Sequence, residues 1–298
     1  MKILITGASG FIGTSMVRSL KLSGNTVLSL SRTPEANGFK WDPDRGEIEL
    51  PHNINIDTVI HLAGENISRV RWSKKQKESI LDSRIKGTRL LVNTIIKLQS
   101  PPKTLLSASG IGIFGDRHDV FLSEDDQLGV GFLVDVAREW ERATRLAVDA
   151  GIRVANLRMG VVMGKEGGVL RRLLPLFGYG FGAVLGSGDQ YMSWITIDDV
   201  VRAIEYILIN EDIKGPVNMV TPNPVSNREF TKTLGIVLRR PTILRIPTWA
   251  IQAVCGEMGK ELLLSNTRVL PRHLLSSGFD FQFPYLEDGL RHILGKPK

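Results

Sequence analysis

The sequence predicts a doubly wound parallel α/β sheet with a second, smaller C-terminal α+β domain. Three observations carry that expectation. An apolar run of strand length ends in a glycine turn and leads straight into a helical pattern over residues 2–22. Strand-length apolar runs then alternate with helix-period segments as far as residue 158, which is how a parallel sheet with crossover helices is written. Beyond Gly160 the alternation stops and glycines crowd in.

Lys2-Ile3-Leu4-Ile5-Thr6 reads as the first buried strand, and Gly7-Ala8-Ser9-Gly10-Phe11-Ile12-Gly13 follows it into the helical pattern of residues 15–22. Strand, glycine turn and helix start in that order suit a pyrophosphate. Gly7 permits φ > 0, Gly10 has no Cβ to hold a phosphate off the backbone, and Gly13 lets the helix pack close on the strand. The free amides of Phe11 and Ile12, with Ser9 counted among the binding residues, then face the anion along the helix dipole. A second cluster, Gly110-Ile111-Gly112-Ile113-Phe114-Gly115, has the commoner spacing but runs into Asp116-Arg117-His118-Asp119 without a helical pattern, so it reads as a loop.

Residues 25–31 are the second strand, ending at Ser31-Arg32. An acid there would bind a ribose 2′-hydroxyl, whereas Arg with Ser beside it suits a 2′-phosphate, so the pair points to NADP(H). Residues 39–42 and 47–50 flank Pro43-Asp44-Arg45-Gly46 as a small hairpin. Residues 58–64 form the next buried strand, and Leu62-Ala63-Gly64-Glu65 at its end would let a cofactor lie close to the backbone. His61, inside the apolar run, reads as a satisfied core histidine.

Residues 74–98 carry a long helical pattern containing Ser83-Arg84-Ile85-Lys86-Gly87-Thr88, and Pro101-Pro102 closes it. Residues 104–109 are a strand ending in Ser107-Ala108-Ser109, residues 132–149 read as one helix around Trp140-Glu141, and residues 153–158 are the next strand. Ligands of such sheets bind at the carboxyl ends of the strands. That rule gathers the glycine turn, Arg32, Ala63-Gly64, Ser107 to Ser109 and Arg158 on one rim.

The domain expectation is a nucleotide-binding unit over residues 1–164, to which parts of 189–222 return, and a smaller substrate or cap unit over 165–298. Asp198-Asp199, entering the apolar pattern of Val200, Val201, Ile204 and Ile207, read as carboxylates capping a helix dipole. Residues 215–298 hold short strands and two or three helices that would cover the mouth of the site.

Composition narrows the function classes. With 42% hydrophobic and 23% charged residues the 298-residue chain is ordinary for a globular protein, and no run of 18 apolar residues could span a bilayer. Residues 1–13 lack a signal-peptide core, so a cytoplasmic protein is expected. Cys255, the single cysteine, reads as a small buried apolar residue, and no metal site is expected. The net charge of +7 is spread along the chain without a basic arm, which argues against nucleic acid and fits a surface that attracts a phosphate-rich cofactor. No membrane partner is expected, and the protein should be a monomer or homodimer.

Taken together, these motifs resemble the extended short-chain dehydrogenase/reductases, the superfamily of sugar-nucleotide epimerases and dehydratases, and within it an atypical branch called epimerase family proteins. The resemblance runs nearly end to end through the glycine turn, His61-Leu62-Ala63-Gly64-Glu65-Asn66-Ile67, Ser83 to Thr88, Arg158-Met159-Gly160-Val161-Val162-Met163-Gly164 and the stretch from Gly188 to Asp199. It continues through Pro222-Asn223-Pro224-Val225 to Leu270-Pro271-Arg272-His273, with residues 246–294 as a family-specific C-terminal unit.

In the wider superfamily a Tyr, with a Lys four residues later, moves the substrate proton. Anchored on Glu141, those positions fall on Leu133 and Ala137, neither of which carries a transferable proton. The assisting hydroxyl falls near Gly110, beside Ser109, and the usual central-helix asparagine falls on Arg84. The resemblance therefore implies an intact cofactor set without the standard catalytic set. Ser109 and Arg84 are the first candidates for the missing chemistry, with Glu65 and Glu139 behind them.

Two readings stay open. One is an NADP(H)-dependent oxidoreductase or epimerase acting on a small, sugar- or nucleotide-like substrate that touches Arg158, Gln190, Ser193 and Trp194. The other is a non-catalytic NADP(H)-binding protein acting through a partner, in a branch with some members linked to cell division.

Overall fold

The computed structural model describes residues 1–34, 38–68 and 71–297. The chain opens with β1 (Lys2–Thr6), α1 (Phe11–Leu22), β2 (Thr26–Ser31), β3 (Gly38–Asp42), β4 (Glu47–Ile48), β5 (Thr58–His61), α2 (Lys74–Ile95) and β6 (Thr104–Gly110). Then come β7 (Phe121–Leu122), α3 (Phe132–Arg142), α4 (Arg145–Asp149), β8 (Arg153–Met159) and β9 (Val161–Met163). Next are α5 (Gly168–Gly178), β10 (Ala183–Leu185), β11 (Tyr191–Met192), β12 (Trp194–Thr196), α6 (Ile197–Ile209) and β13 (Gly215–Met219).

Eight strands form one sheet in the order β13-β8-β6-β5-β1-β2-β3-β4, parallel throughout except for the antiparallel β3–β4 hairpin. Its central strands are continuous apolar runs because both faces are covered. On one face, Ile3 and Ile5 meet Met16 and Leu20 of α1 and Ile204 and Ile207 of α6. On the other, Leu4, Val59 and Leu105 meet Leu91, Val92 and Ile95 of α2 and Ala147 of α4. Each such Ile, Leu, Val or Met side chain, fully removed from water, contributes about 1.5–3 kcal/mol.

Residues 132–149 are two helices rather than one. They break at Ala143 and Thr144, with the Thr144 hydroxyl donating to the Glu141 carbonyl at 2.7 Å. The second glycine cluster is the expected loop, a single 3₁₀ turn over Ile111–Phe114 ended by Gly115 at φ +63°.

The remaining elements are β14 (Val225–Ser226), α7 (Asn227–Leu238), β15 (Leu244–Ile246), α8 (Thr248–Met258), β16 (Arg268–Val269), α9 (Arg272–Ser276) and α10 (Leu286–Leu294). Among the described residues the segment after Gly215 therefore holds four α-helices, not two or three. Its own core joins Leu170 and Phe177 of α5 to Phe230 and Leu234 of α7 and to Leu286 and Leu290 of α10. It is tied back to the rest of the chain: β16 pairs with β7 in a separate two-stranded ladder, and Leu274, Phe279 and Phe281 enter the core beneath α6.

Asp199 departs from the simple capping role. Thr196 caps α6 by accepting the Asp199 amide at 3.1 Å. The Asp199 carboxylate, fully buried, accepts the Gln282 and Phe283 amides at 2.9 Å each and takes Arg202 at 2.8 Å. Cys255 is half-buried rather than buried, because α8 lies on the surface.

Candidate functional site

The strand registers put Thr6 beside His61, His61 beside Ser107, and Ser109 beside Arg158, so the carboxyl ends of β1, β5, β6 and β8 form one rim. The glycine turn sits at its centre. Gly7 has φ +72°, and a Cβ there would stand 2.8 Å from the Leu62 carbonyl carbon. The Gly10 amide donates to the Gly7 carbonyl at 3.0 Å, and Gly10 precedes α1 with no side-chain cap. A Cβ on Gly13 would come within 2.0 Å of the Gly7 carbonyl oxygen. Gly13 is thus required for the helix to close on its own turn, not on the strand. The Phe11 ring lies in a cradle where a Cβ would approach it to 2.5 Å at Gly164 and 2.2 Å at Gly167, which pins the helix start.

Ser9 and Gly10 are exposed above this turn, and Phe11 and Ile12 are half-buried. Ser31 is half-buried and Arg32 exposed at the end of β2. Leu62, Ala63 and Glu65 line the end of β5 with Gly64 exposed between them. Ser107 lies one layer lower: it is fully buried, its hydroxyl on the Ala108 carbonyl at 3.4 Å.

His61 is the satisfied core histidine the sequence suggests. Thr88 donates its one hydroxyl hydrogen to the Arg84 carbonyl at 2.6 Å, so it accepts from His61 Nε2 at 2.9 Å. Nδ1 then accepts from Thr6 Oγ1 at 2.6 Å, and that oxygen accepts the Ala63 amide at 3.3 Å. Burial, with the nearby Arg84 charge, pushes the imidazole down to about 4, so it is neutral at pH 7.

Arg84 reaches the rim from α2. Its guanidinium lies 4.8 Å from the Trp140 ring centroid and donates Nη1 to the Ile80 carbonyl at 3.0 Å. A Cβ on Gly64 would be 3.3 Å from its Cζ, so the cation packs closely against the backbone there. Burial pushes Arg84 down to about 10, opposed by the Glu65 carboxylate, and it stays charged at pH 7.

Ser109 donates its hydroxyl to Glu141 Oε1 at 2.8 Å. The same carboxylate takes Arg158 in a two-pronged pair, Nε to Oε1 at 2.8 Å and Nη2 to Oε2 at 3.0 Å. The third Arg158 nitrogen donates to the Glu124 carbonyl at 3.1 Å. The Arg158 guanidinium is therefore engaged at all three nitrogens within the fold.

The other proposed substrate contacts are also engaged. Gln190 donates to the Leu185 and Leu263 carbonyls, Ser193 accepts the Val269 amide at 2.7 Å, and fully buried Trp194 donates to the Asn223 carbonyl at 3.0 Å. With the Thr267 amide on the Tyr191 carbonyl, these contacts hold residues 263–269 in place.

Leu133 and Ala137 stand on α3, with Leu133 against Gly112 and Ala137 buried. Glu261, which the sequence reading did not single out, caps this helix: its Oε1 and Oε2 accept the Phe132 and Leu133 amides at 3.0 and 2.9 Å. Around it Lys77 pairs with Glu257 at 2.8 Å, and Arg71 donates to the Ala253 and Val254 carbonyls. The only forward signal was a lone acid among Met258, Gly259, Lys260, Leu262 and Leu263. Glu139, the remaining candidate acid, is tied to Arg142 at 2.8 Å.

A parallel sheet with a left-handed glycine turn feeding a bare helix N-terminus defines a Rossmann-type dinucleotide-binding protein. The chain belongs to the NAD dependent epimerase/dehydratase family, whose model matches residues 3–219, and residues 246–293 match a domain of unknown function, DUF1731. Epimerase family protein Mb2239 of Mycobacterium bovis is 40% identical over 298 residues, 99% of this chain and 98% of that one. Human epimerase family protein SDR39U1 is 32% identical over 99% of this chain and all of its own. The crystal structure of that human protein with NADPH gives a TM-score of 0.92 over 99% of each chain. The nucleoside-diphosphate sugar epimerase from Corynebacterium glutamicum gives 0.81 at 32% identity, over 99% of this chain and 58% of that one.

Proposed function

We propose that the protein is an NADP(H)-dependent oxidoreductase of the epimerase type that works without the tyrosine and lysine of its superfamily. The observation that carries this reading is the charged Arg84 guanidinium, held against Gly64 at the rim. The cradle fits a dinucleotide: Gly7, Ser9, Gly10, Phe11, Ile12 and Gly13 would take the pyrophosphate, Ser31 and Arg32 the 2′-phosphate, and Leu62, Ala63, Gly64 and Glu65 the nicotinamide half. When bound, the reduced nicotinamide supplies a hydride.

Arg84 would stabilise the negative charge that develops on a carbonyl oxygen, a task for a fixed cation in a partly dry site. Leu133 and Ala137 carry no transferable proton, so the proton that completes the alcohol would come from solvent water, with the hydroxide formed released to bulk solvent.

A specific observation favours a second reading, an NADP(H)-binding regulator without turnover. The Ser109 hydroxyl and the polar groups of the proposed substrate contacts are all spent on the fold itself. The deciding experiment follows NADPH oxidation over a panel of small carbonyl compounds, with Arg84→Met beside the native protein. Turnover that falls about 10²-fold in Arg84→Met, while nucleotide affinity is kept, supports the enzyme. Binding with no turnover across the panel supports the regulator.

A further inference from the structure

Among the stretches of the chain without an acidic residue, two also carry large exposed apolar side chains that the fold brings together. Residues 167–188 and 230–256 carry Arg171, Arg172, Lys232, Arg239, Arg240 and Arg245 with neither Asp nor Glu, while the rest of the chain holds 32 Lys and Arg against 31 Asp and Glu. Together the two stretches carry a local charge of +6. Along the sequence they are 41 residues apart.

The fold joins them. β10 pairs with β15 in register Ala183 to Leu244 and Leu185 to Ile246. Arg240 donates Nε to the Gly178 carbonyl at 2.9 Å, and a Cβ on Gly182 would stand 3.0 Å from the Thr242 methyl. Around this seam Tyr179 is 80% exposed, Phe181 62%, Ile243 88% and Trp249 72%. All three residues of β15 are exposed as well, as are Arg239 and Arg240. Folded proteins scatter single exposed apolar residues, but a cluster of large ones flanked by one sign of charge marks a contact surface.

We propose that this face rests on an anionic lipid bilayer, with the four side chains entering the headgroup boundary and the arginines meeting lipid phosphates. A second copy of the chain fits poorly, because two-fold pairing of the same patch sets six cations against six. Protein hot spots favour packed pockets. Here the apolar groups project from the turn after α5, the turn into β15 and the first turn of α8, and Trp and Tyr are the rings that settle at a membrane interface. No helix among the described residues is long and apolar enough to cross a membrane, so the contact is peripheral.

The test is flotation of the full chain with phosphatidylcholine vesicles, with and without one third phosphatidylglycerol. The protein should float only with the anionic vesicles and be released by salt on the order of 0.5 M. Arg239→Glu with Arg240→Glu, and separately Phe181→Ser with Trp249→Ser, should each lower partitioning at least about tenfold. Unchanged melting temperatures would show that the variants are folded. Brominated lipid should quench a part of the tryptophan emission that Trp249→Phe removes. No flotation with anionic vesicles, flotation indifferent to either pair of substitutions, or binding of soluble polyglutamate without flotation would overturn the proposal, the last in favour of an acidic protein partner.

Discussion

Arg158 and Glu141 close a two-pronged ion pair at the carboxyl edge of the sheet, 2.8 and 3.0 Å between their atoms, with the Ser109 hydroxyl on the same carboxylate at 2.8 Å. The Arg158 side chain is only 5% exposed. Removing Glu141 would strand a buried cation, so Glu141→Ala should cost roughly 3–5 kcal/mol of stability by denaturant unfolding. Ser109→Ala, which removes one hydrogen bond, should cost about 1 kcal/mol. Equal costs for the two would show that the pair does not hold this edge.

His61 sets a pH dependence of stability. Its imidazole takes a proton near 6.5 in the unfolded chain and near 4 in the native one. Between those values the unfolded state binds the extra proton, so stability falls as pH falls through that window, by roughly 3 kcal/mol in all, and this group adds no further loss below it. Unfolding free energies of the native protein and of His61→Asn between about pH 7 and about pH 5 should give the steeper slope to the native protein. Parallel slopes would contradict the neutral, buried imidazole.

Glu261 ties the C-terminal unit to the start of α3 through the Phe132 and Leu133 amides. A charged cap of this kind is worth about 1–2 kcal/mol. Glu261→Ala should speed hydrogen exchange over residues 248–263 while leaving β1, β5 and β6 protected, and Glu261→Gln, which keeps one acceptor, should fall between. Unchanged exchange over 248–263 would mean that apolar packing alone holds the unit.

The parallel sheet, the glycine turn and the core histidine were legible because each is written locally, in an apolar run, a spacing or a neighbour pattern. The break at Ala143 and Thr144 was not, since neither a glycine nor a proline marks it. Arg158, Gln190, Ser193 and Trp194 are expected as substrate contacts because they fall between the sheet rim and the smaller domain. Their partners, Glu141, Leu263, Val269 and Asn223, are 17 to 76 residues away, and only the fold reveals that their polar groups are already engaged. The basic, apolar seam between β10 and β15 escaped for the same reason.

The turn from Gly7 to Gly13, with Arg32 at the end of β2, is the proposed NADP(H) site. Calorimetric titration of NADPH and of NADH into the native protein and into Arg32→Ala tests it most directly. NADPH should bind at least about tenfold tighter, about 1.4 kcal/mol, and Arg32→Ala should remove the preference. Binding of neither nucleotide, or a preference that survives Arg32→Ala, would contradict it.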